Sequence, residues 1–174
     1  MTLYDELTGL PGRSALNERL ESLNGNFTLA MVDIDHFKAF NDTRGQEVGD
    51  QVLKLVAARL QQVGGGGTAY RTGEDEFAIL FAGRREAKVM QHLESLRRNI
   101  DSYKVMLRDS ARPRHPTPGS VKRATNTATR WISITISMGV AERADSEEAP
   151  EQVIEAADRA LYRAKAEGRN WVRH

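Results

Sequence analysis

The chain contains no cysteine, which excludes disulfides and thiolate metal centres and leaves folding indifferent to the redox compartment. It has no excess of either charge. Its 25 Lys and Arg against 24 Asp and Glu leave a formal net charge of +1, with no whole-chain pull towards nucleic acid or an anionic membrane. No long apolar run and no leader pattern are present, so neither a spanning segment nor a signal peptide is expected, and a soluble, cytoplasmic setting follows. Proline is scarce, and three of the five prolines fall between residues 103 and 130. What remains is 174 residues, 40% hydrophobic and 28% charged, which suits one globular domain over residues 1–174 with enough interior to fold unaided. Function has to be argued from a site.

After a turn-rich opening (TGLPG), Leu16, Leu20 and Leu23 recur at helical spacing, and Asn24-Gly25 ends that helix. Phe27 to Val32 then runs mostly apolar without alternation, as a strand buried on both faces does, with Asp33 at its end. From Glu47 a helix carries Val52, Val56, Leu60 and Val63 on one face and stops at the run Gly64 to Gly67. TAYR and FAILFA, separated by TGEDE, predict a β-hairpin with its acids at the tip. Val89, Leu93, Leu96 and Ile100 mark another helix. Residues 103–130 lose all period and read as an inserted loop or a pair of short strands around a tip. WISITISM alternates Ile132, Ile134, Ile136 and Met138 against Ser133, Thr135 and Ser137, predicting a single strand. Pro150 opens the last helix, striped by Val153, Ile154, Ala157, Ala160, Leu161 and Ala164. The order αβαββαβα predicts an α+β fold, helices packed on a largely antiparallel sheet.

Two places invite chemistry. An aspartate closing a buried strand is costly unless cations or water meet it, so Asp33 either faces solvent or belongs to a site. The hairpin tip adds Asp75 and Glu76, and the strand from Phe27 is the best buried partner for that hairpin. Carboxylates from two adjacent strand ends are hard oxygen ligands suited to Mg²⁺, which leaves its other positions to water and substrate phosphates; the alternative is a solvated acidic turn. Lys165 and Arg169, four apart, share a face if the helix holds through Gly168 and could meet a polyphosphate, or simply be solvated. Asn41 and Asp50 are weaker signals in isolation.

Together these residues resemble the GGDEF domain, the diguanylate cyclase family. The resemblance rests on YDELTGLPGR at 4–13, DIDHFKAFNDTRGQEVGD at 33–50, RTGEDEF at 71–77 and ADRALYRAKAEGRN at 157–170. It implies a palm-like sheet similar to nucleotidyl cyclases and polymerases, of ferredoxin-like type, and condensation of two GTP into cyclic di-GMP with release of two pyrophosphates. It implies Mg²⁺ (or Mn²⁺) on Asp33, the Ile34 carbonyl and Asp75, with Glu76 a further ligand or close to the attacking 3′-hydroxyl. Asn41 and Asp50 would read the guanine edge, and Phe37 and Lys38 would line the phosphate end. Gly73 would allow close approach of substrate at the turn, and Lys165 and Arg169 would neutralise the β- and γ-phosphates. Because each product bond joins GTPs held on two protomers, the resemblance implies an antiparallel homodimer. It also implies a sensory domain fused outside this chain, a parent protein that is sometimes membrane-anchored, and no nucleic-acid partner.

The chain departs from the family pattern in three places. Glu74 replaces the second glycine of the signature, bringing a side chain and a carboxylate to a turn where glycine permits positive φ. The Arg-x-x-Asp motif used for product inhibition falls on Gly64 and Gly67, so no primary inhibitory site is expected. Gly12 stands where the opening turn usually has Asn. The insertion carries Arg108, Arg112, Arg114, Lys122 and Arg123, which either contact a partner or are solvated. The expected function is a diguanylate cyclase. The alternatives are a degenerate domain that binds GTP and regulates a fused or partner domain, and a purely structural, dimerising domain.

Overall fold

The computed structural model describes residues 3–106 and 131–174. Helix α1 (Arg13–Ser22) leads into β1 (Phe27–Ile34), followed by α2 (Phe37–Arg44), α3 (Gln46–Gln61), β2 (Thr68–Arg71), β3 (Glu76–Ala82) and α4 (Glu86–Ser102). Short strands β4 (Lys104–Met106) and β5 (Trp131–Ser133) precede β6 (Ile136–Arg143), α5 (Pro150–Ala166) and β7 (Val172–Arg173). The main sheet has the order β2-β3-β1-β6-β7, antiparallel except for the parallel β6–β7 pair. This is the expected α+β, palm-like arrangement.

β1 is apolar apart from Thr28 and Asp33 because it lies between β3 and β6 and is covered on both faces. Its side chains divide by parity. Ala30, Val32 and Ile34 join Phe77, Ile79 and Phe81 of β3 under α3 and α4. Phe27, Leu29 and Met31 join Ala78 and Leu80 under α1 and α5. Parity therefore sends Asp33 to the α1/α5 side, and the register pairs it with Glu76, which faces the same way. On that side α5 lies directly on the backbone of β6: a Cβ added at Gly139 would come within 2.1 Å of the Ala157 carbonyl oxygen and the Leu161 nitrogen.

The structure departs from the expected element order in three places. WISITISM is not one strand: the chain breaks at Ile134 and Thr135, β5 pairs with β4 in a separate ribbon, and β6 alone enters the main sheet. Ser137, on the polar side of that alternation, is fully buried and hydrogen-bonded. Helix α2 was not anticipated. It buries only Phe37 and is cut from α3 by Gly45 at φ 88°, too short a stretch for periodicity to register. β7 is only two residues long. Residues 107–130, including Arg108, Arg112, Arg114, Lys122 and Arg123, lie outside the described residues.

Candidate active site

Asp33 and Glu76 face each other across adjacent central strands. Like charges in that position repel, and each has its own cation. Lys165 of α5 forms an ion pair with Asp33 Oδ2, and Arg13 of α1 reaches Glu76 Oε1 at 3.3 Å, where the Thr72 hydroxyl also donates at 2.8 Å. Asp33 Oδ1 is buried with no hydrogen-bond partner. Burial pushes the Asp33 carboxyl above the ordinary aspartate value; the Lys165 hydrogen bond and charge oppose this, and the charges of Asp75 and Asp35 add to it. A buried carboxylate oxygen without a donor suits a hard cation. Among the described residues no group of three or more His, Cys, Asp or Glu is placed to hold a metal. The fit is therefore to a cation that takes few protein ligands and completes its shell with water and phosphate, as Mg²⁺ does.

Beside this pair opens a cleft of about 400 Å³, where Ile34, Phe37, Lys38, Asp75, Lys165 and Arg169 converge from four separate segments. Phe37 is buried and forms its floor, while Lys38 is exposed. The helix does not hold through Gly168, so Lys165 and Arg169 do not share a helix face: α5 ends at Ala166, and Arg169 is reached by a tight turn with φ 115° at Gly168, 65° at Arg169 and 54° at Asn170. Among the described residues its guanidinium forms no ion pair. Asp35 and Asp42 line the cleft as well, so three cationic side chains and three carboxylates surround it; the cations can take a polyphosphate and the carboxylates its metal.

The acidic tip is braced from behind. Arg71 donates to the Gly73 carbonyl at 3.1 Å and the Glu74 carbonyl at 2.7 Å, and to both Asp5 oxygens at 3.0 Å. Burial would raise the Asp5 carboxyl, but hydrogen bonds from Thr8 and the Arg71 guanidinium hold it below the usual value. The opening turn is thus a strap over the signature hairpin, and Ile34 N donates to the Asp75 carbonyl at 3.2 Å to tie the tip to β1. Gly73 and Glu74 are exposed, and neither has a positive φ. Glu74 therefore occupies an ordinary backbone conformation, and the strain expected of a side chain there is absent. Gly73 is the tighter position, with room for a Cβ only 3.2 Å from Glu76 Cβ.

Asn41 and Asp50 do not line this cleft. They sit on α2 and α3, where Asn41 Oδ1 is buried without a partner and is pressed against Gly49, whose added Cβ would lie 2.1 Å from it.

Comparison with known proteins decides the family. The profile described as "Diguanylate cyclase, GGDEF domain" matches residues 2–120 and 119–171. The chain belongs to the GGDEF domain family. Diguanylate cyclase VdcA of Vibrio cholerae is 38% identical over 174 residues, covering 98% of this chain and 46% of the relative. Response regulator PleD of Caulobacter vibrioides is 31% identical over 180 residues, covering 99% and 36%. The chain thus spans less than half the length of these relatives. Among solved structures, the GGDEF domain of DgcB from Caulobacter crescentus, crystallised with c-di-GMP, superposes with a TM-score of 0.81 at 33% identity, covering 98% of this chain and 92% of that one. The FimX GGDEF domain from Pseudomonas aeruginosa gives 0.81 at 21% identity, a likeness of fold.

Within this GGDEF domain, sequence reasoning missed Arg13, Arg71, Asp35 and Asn170. Arg71 and Arg13 flank the tip in sequence or in space, yet a lone arginine carries no spacing signal. Asp35 is 9% exposed and accepts from the Ser137 hydroxyl at 2.6 Å and the Thr135 hydroxyl at 2.7 Å. The second aspartate of Asp-Ile-Asp was the signal available for it, since it too sits at the end of a buried strand.

Proposed function

We propose that this GGDEF domain is a working diguanylate cyclase that condenses two GTP into cyclic di-GMP. The observation that carries the reading is the paired Asp33 and Glu76 on adjacent strands, with a buried, unpartnered oxygen on Asp33 whose ion-pair partner, Lys165, lines the neighbouring cleft. In each half-reaction a 3′-oxygen attacks the α-phosphorus of the other GTP. The new P–O3′ bond forms, the bond to the bridging oxygen breaks, pyrophosphate leaves and the hydroxyl gives up its proton. Asp33, Asp75 and the Ile34 carbonyl would hold Mg²⁺ or Mn²⁺, which when bound neutralises phosphoryl charge and makes the hydroxyl more acidic. Glu76 supplies a second carboxylate beside Asp33, available to the metal or to the attacking hydroxyl. Lys165, Arg169 and Lys38 take up the charge of the β- and γ-phosphates. Asn41 and Asp50 read guanine N1 and N2 donors, which adenine lacks, and that selects GTP over ATP. The protein's work is positioning and charge stabilisation, with substrate held on two protomers so that the reacting ends meet.

Glu74 does not oppose this reading, because its backbone is unstrained and Arg71 holds its carbonyl. The test is chromatographic product analysis of concentrated protein with GTP and Mg²⁺, beside Glu74→Gly and Asp75→Ala. Cyclic di-GMP is expected from the native chain and from Glu74→Gly, and none from Asp75→Ala. Product appearing only after Glu74→Gly would sink the reading in favour of a GTP-binding regulatory domain. With glycine at 64 and 67 no guanidinium grips the product there, so the same progress curves are expected to lack product inhibition mediated by that segment.

A further inference from the structure

We infer that Asp35 is a positioning residue that fixes Arg169 on the terminal phosphates of the bound nucleotide, an inference that takes the nucleotide's identity from the cyclase reading. Asp35 follows Ile34 and begins the loop that leads to Phe37 and Lys38. Its main-chain N–H donates to the Thr135 carbonyl at 2.9 Å, so the break between β5 and β6 is where this loop is pinned. Its carboxylate then reaches across the sheet end. Oδ2 accepts from the Asn170 main-chain N–H at 3.0 Å as well as from Thr135, and Oδ1 accepts from Ser137, whose oxygen also takes the Asn170 N–H at 3.1 Å.

That N–H belongs to the second of two consecutive left-handed residues, Arg169 and Asn170. Such a pair of non-glycine residues does not hold itself in place. It is held from both sides: Asp35 takes the backbone, and the Asn170 side chain accepts from Arg97 Nη1 at 2.8 Å and donates to Asp101 at 3.2 Å. Arg169 is the residue immediately before this anchor, and its guanidinium is left facing the cleft. One buried carboxylate therefore couples the metal-side loop to the phosphate-side arginine.

Charge and position predict opposite results for Asp35→Asn, which makes the inference testable. Removing a negative charge beside a polyphosphate site would by itself tighten binding. Asparagine leaves one acceptor oxygen where the Thr135 and Ser137 hydroxyls and the Asn170 N–H now share two, so the hold on Asn170 loosens, Arg169 is freed and binding weakens. The experiment is calorimetric titration of GTP and GMP, with Mg²⁺, into the native chain and into Asp35→Asn, Arg169→Ala and the double variant, with circular dichroism as the check on folding. We expect GTP affinity to fall about tenfold, the scale of losing a hydrogen bond to a charged group, with GMP affinity unchanged. The double variant should be no weaker than Arg169→Ala, because both changes remove one interaction. Thr135→Val keeps the charge and loses one donor; it should reduce the GTP-to-GMP ratio in the same direction, and it carries the test if Asp35→Asn does not fold. Equal losses for GTP and GMP, tighter GTP binding, additive effects, or a native chain that binds both nucleotides alike would each overturn the role of Asp35. A native chain that keeps the ratio yet yields no cyclic dinucleotide would sink the cyclase reading and leave this one standing.

Discussion

Lys165 holds the Asp33 carboxylate in the free protein, yet the proposed chemistry needs that carboxylate for a metal and that ammonium for phosphate. The two demands are compatible if the lysine exchanges partners when metal and triphosphate arrive. Its side chain is 36% exposed against 13% for Asp33, so the lysine can leave at small solvation cost while the carboxylate cannot follow. Lys165→Met should therefore have opposite effects on the two ligands. Without nucleotide, Mn²⁺ should bind about tenfold more tightly, because its competitor is gone, while GTP should bind about tenfold more weakly for loss of a phosphate cation. Electron paramagnetic resonance of free Mn²⁺ reads the first and calorimetry the second. Unchanged Mn²⁺ affinity would mean that the ion pair and the metal do not compete.

At the scale of elements, the site depends on how closely α5 lies on β6. Gly139 permits that approach, since any side chain would meet the backbone of α5 rather than a movable side chain. Gly139→Ala should push α5 outwards, costing about 3 kcal/mol on the scale of overpacked cores, and should carry Lys165 away from Asp33. Urea unfolding checks the stability; a loss below about 0.5 kcal/mol would show that the helix has room to spare. The same packing explains what was legible in sequence. α3, α4 and α5 each bury a stripe of four or more residues, and β1 and β3 are apolar on both faces, so their periods stand out. α2 buries a single side chain and β7 spans two residues, so neither leaves a period to read. The break at Ile134 and Thr135 is made by a hydrogen bond to Asp35, a hundred positions away, and no local pattern encodes it. The site divides in the same way. Asp33 stood out in sequence as a charge out of place, Asp75 and Glu76 as acids at a hairpin tip, and Lys165 and Arg169 as cations four apart, while the roles proposed for them rest on motif resemblance. Arg71 and Asn170 act through backbone groups that only the folded chain brings together.

At the scale of the whole molecule, the proposed reaction asks for more than one copy of the chain. In that reaction a half-site built from Asp33, Asp75 and the cleft would hold a GTP and its metal, and the attacking 3′-hydroxyl would come from the nucleotide of the opposing copy. Charge does not forbid that encounter, because the net charge is +1 and two copies do not repel strongly. The charged side chains of the site would have to be partly desolvated in that encounter, so it is expected to be brief. The rate should then follow the concentration of pairs. Specific activity of the chain should rise in proportion to protein concentration while most copies are single, and level off once pairs dominate. Fusing a parallel coiled coil before Leu3 should raise the local concentration to the millimolar range and remove that dependence. Initial rates of cyclic di-GMP formation over a hundredfold range of protein, with and without the fusion, read this directly. A specific activity independent of concentration in the unfused chain would mean either a tight dimer, which sedimentation would reveal, or a product bond made within one copy, which would overturn the two-protomer reading.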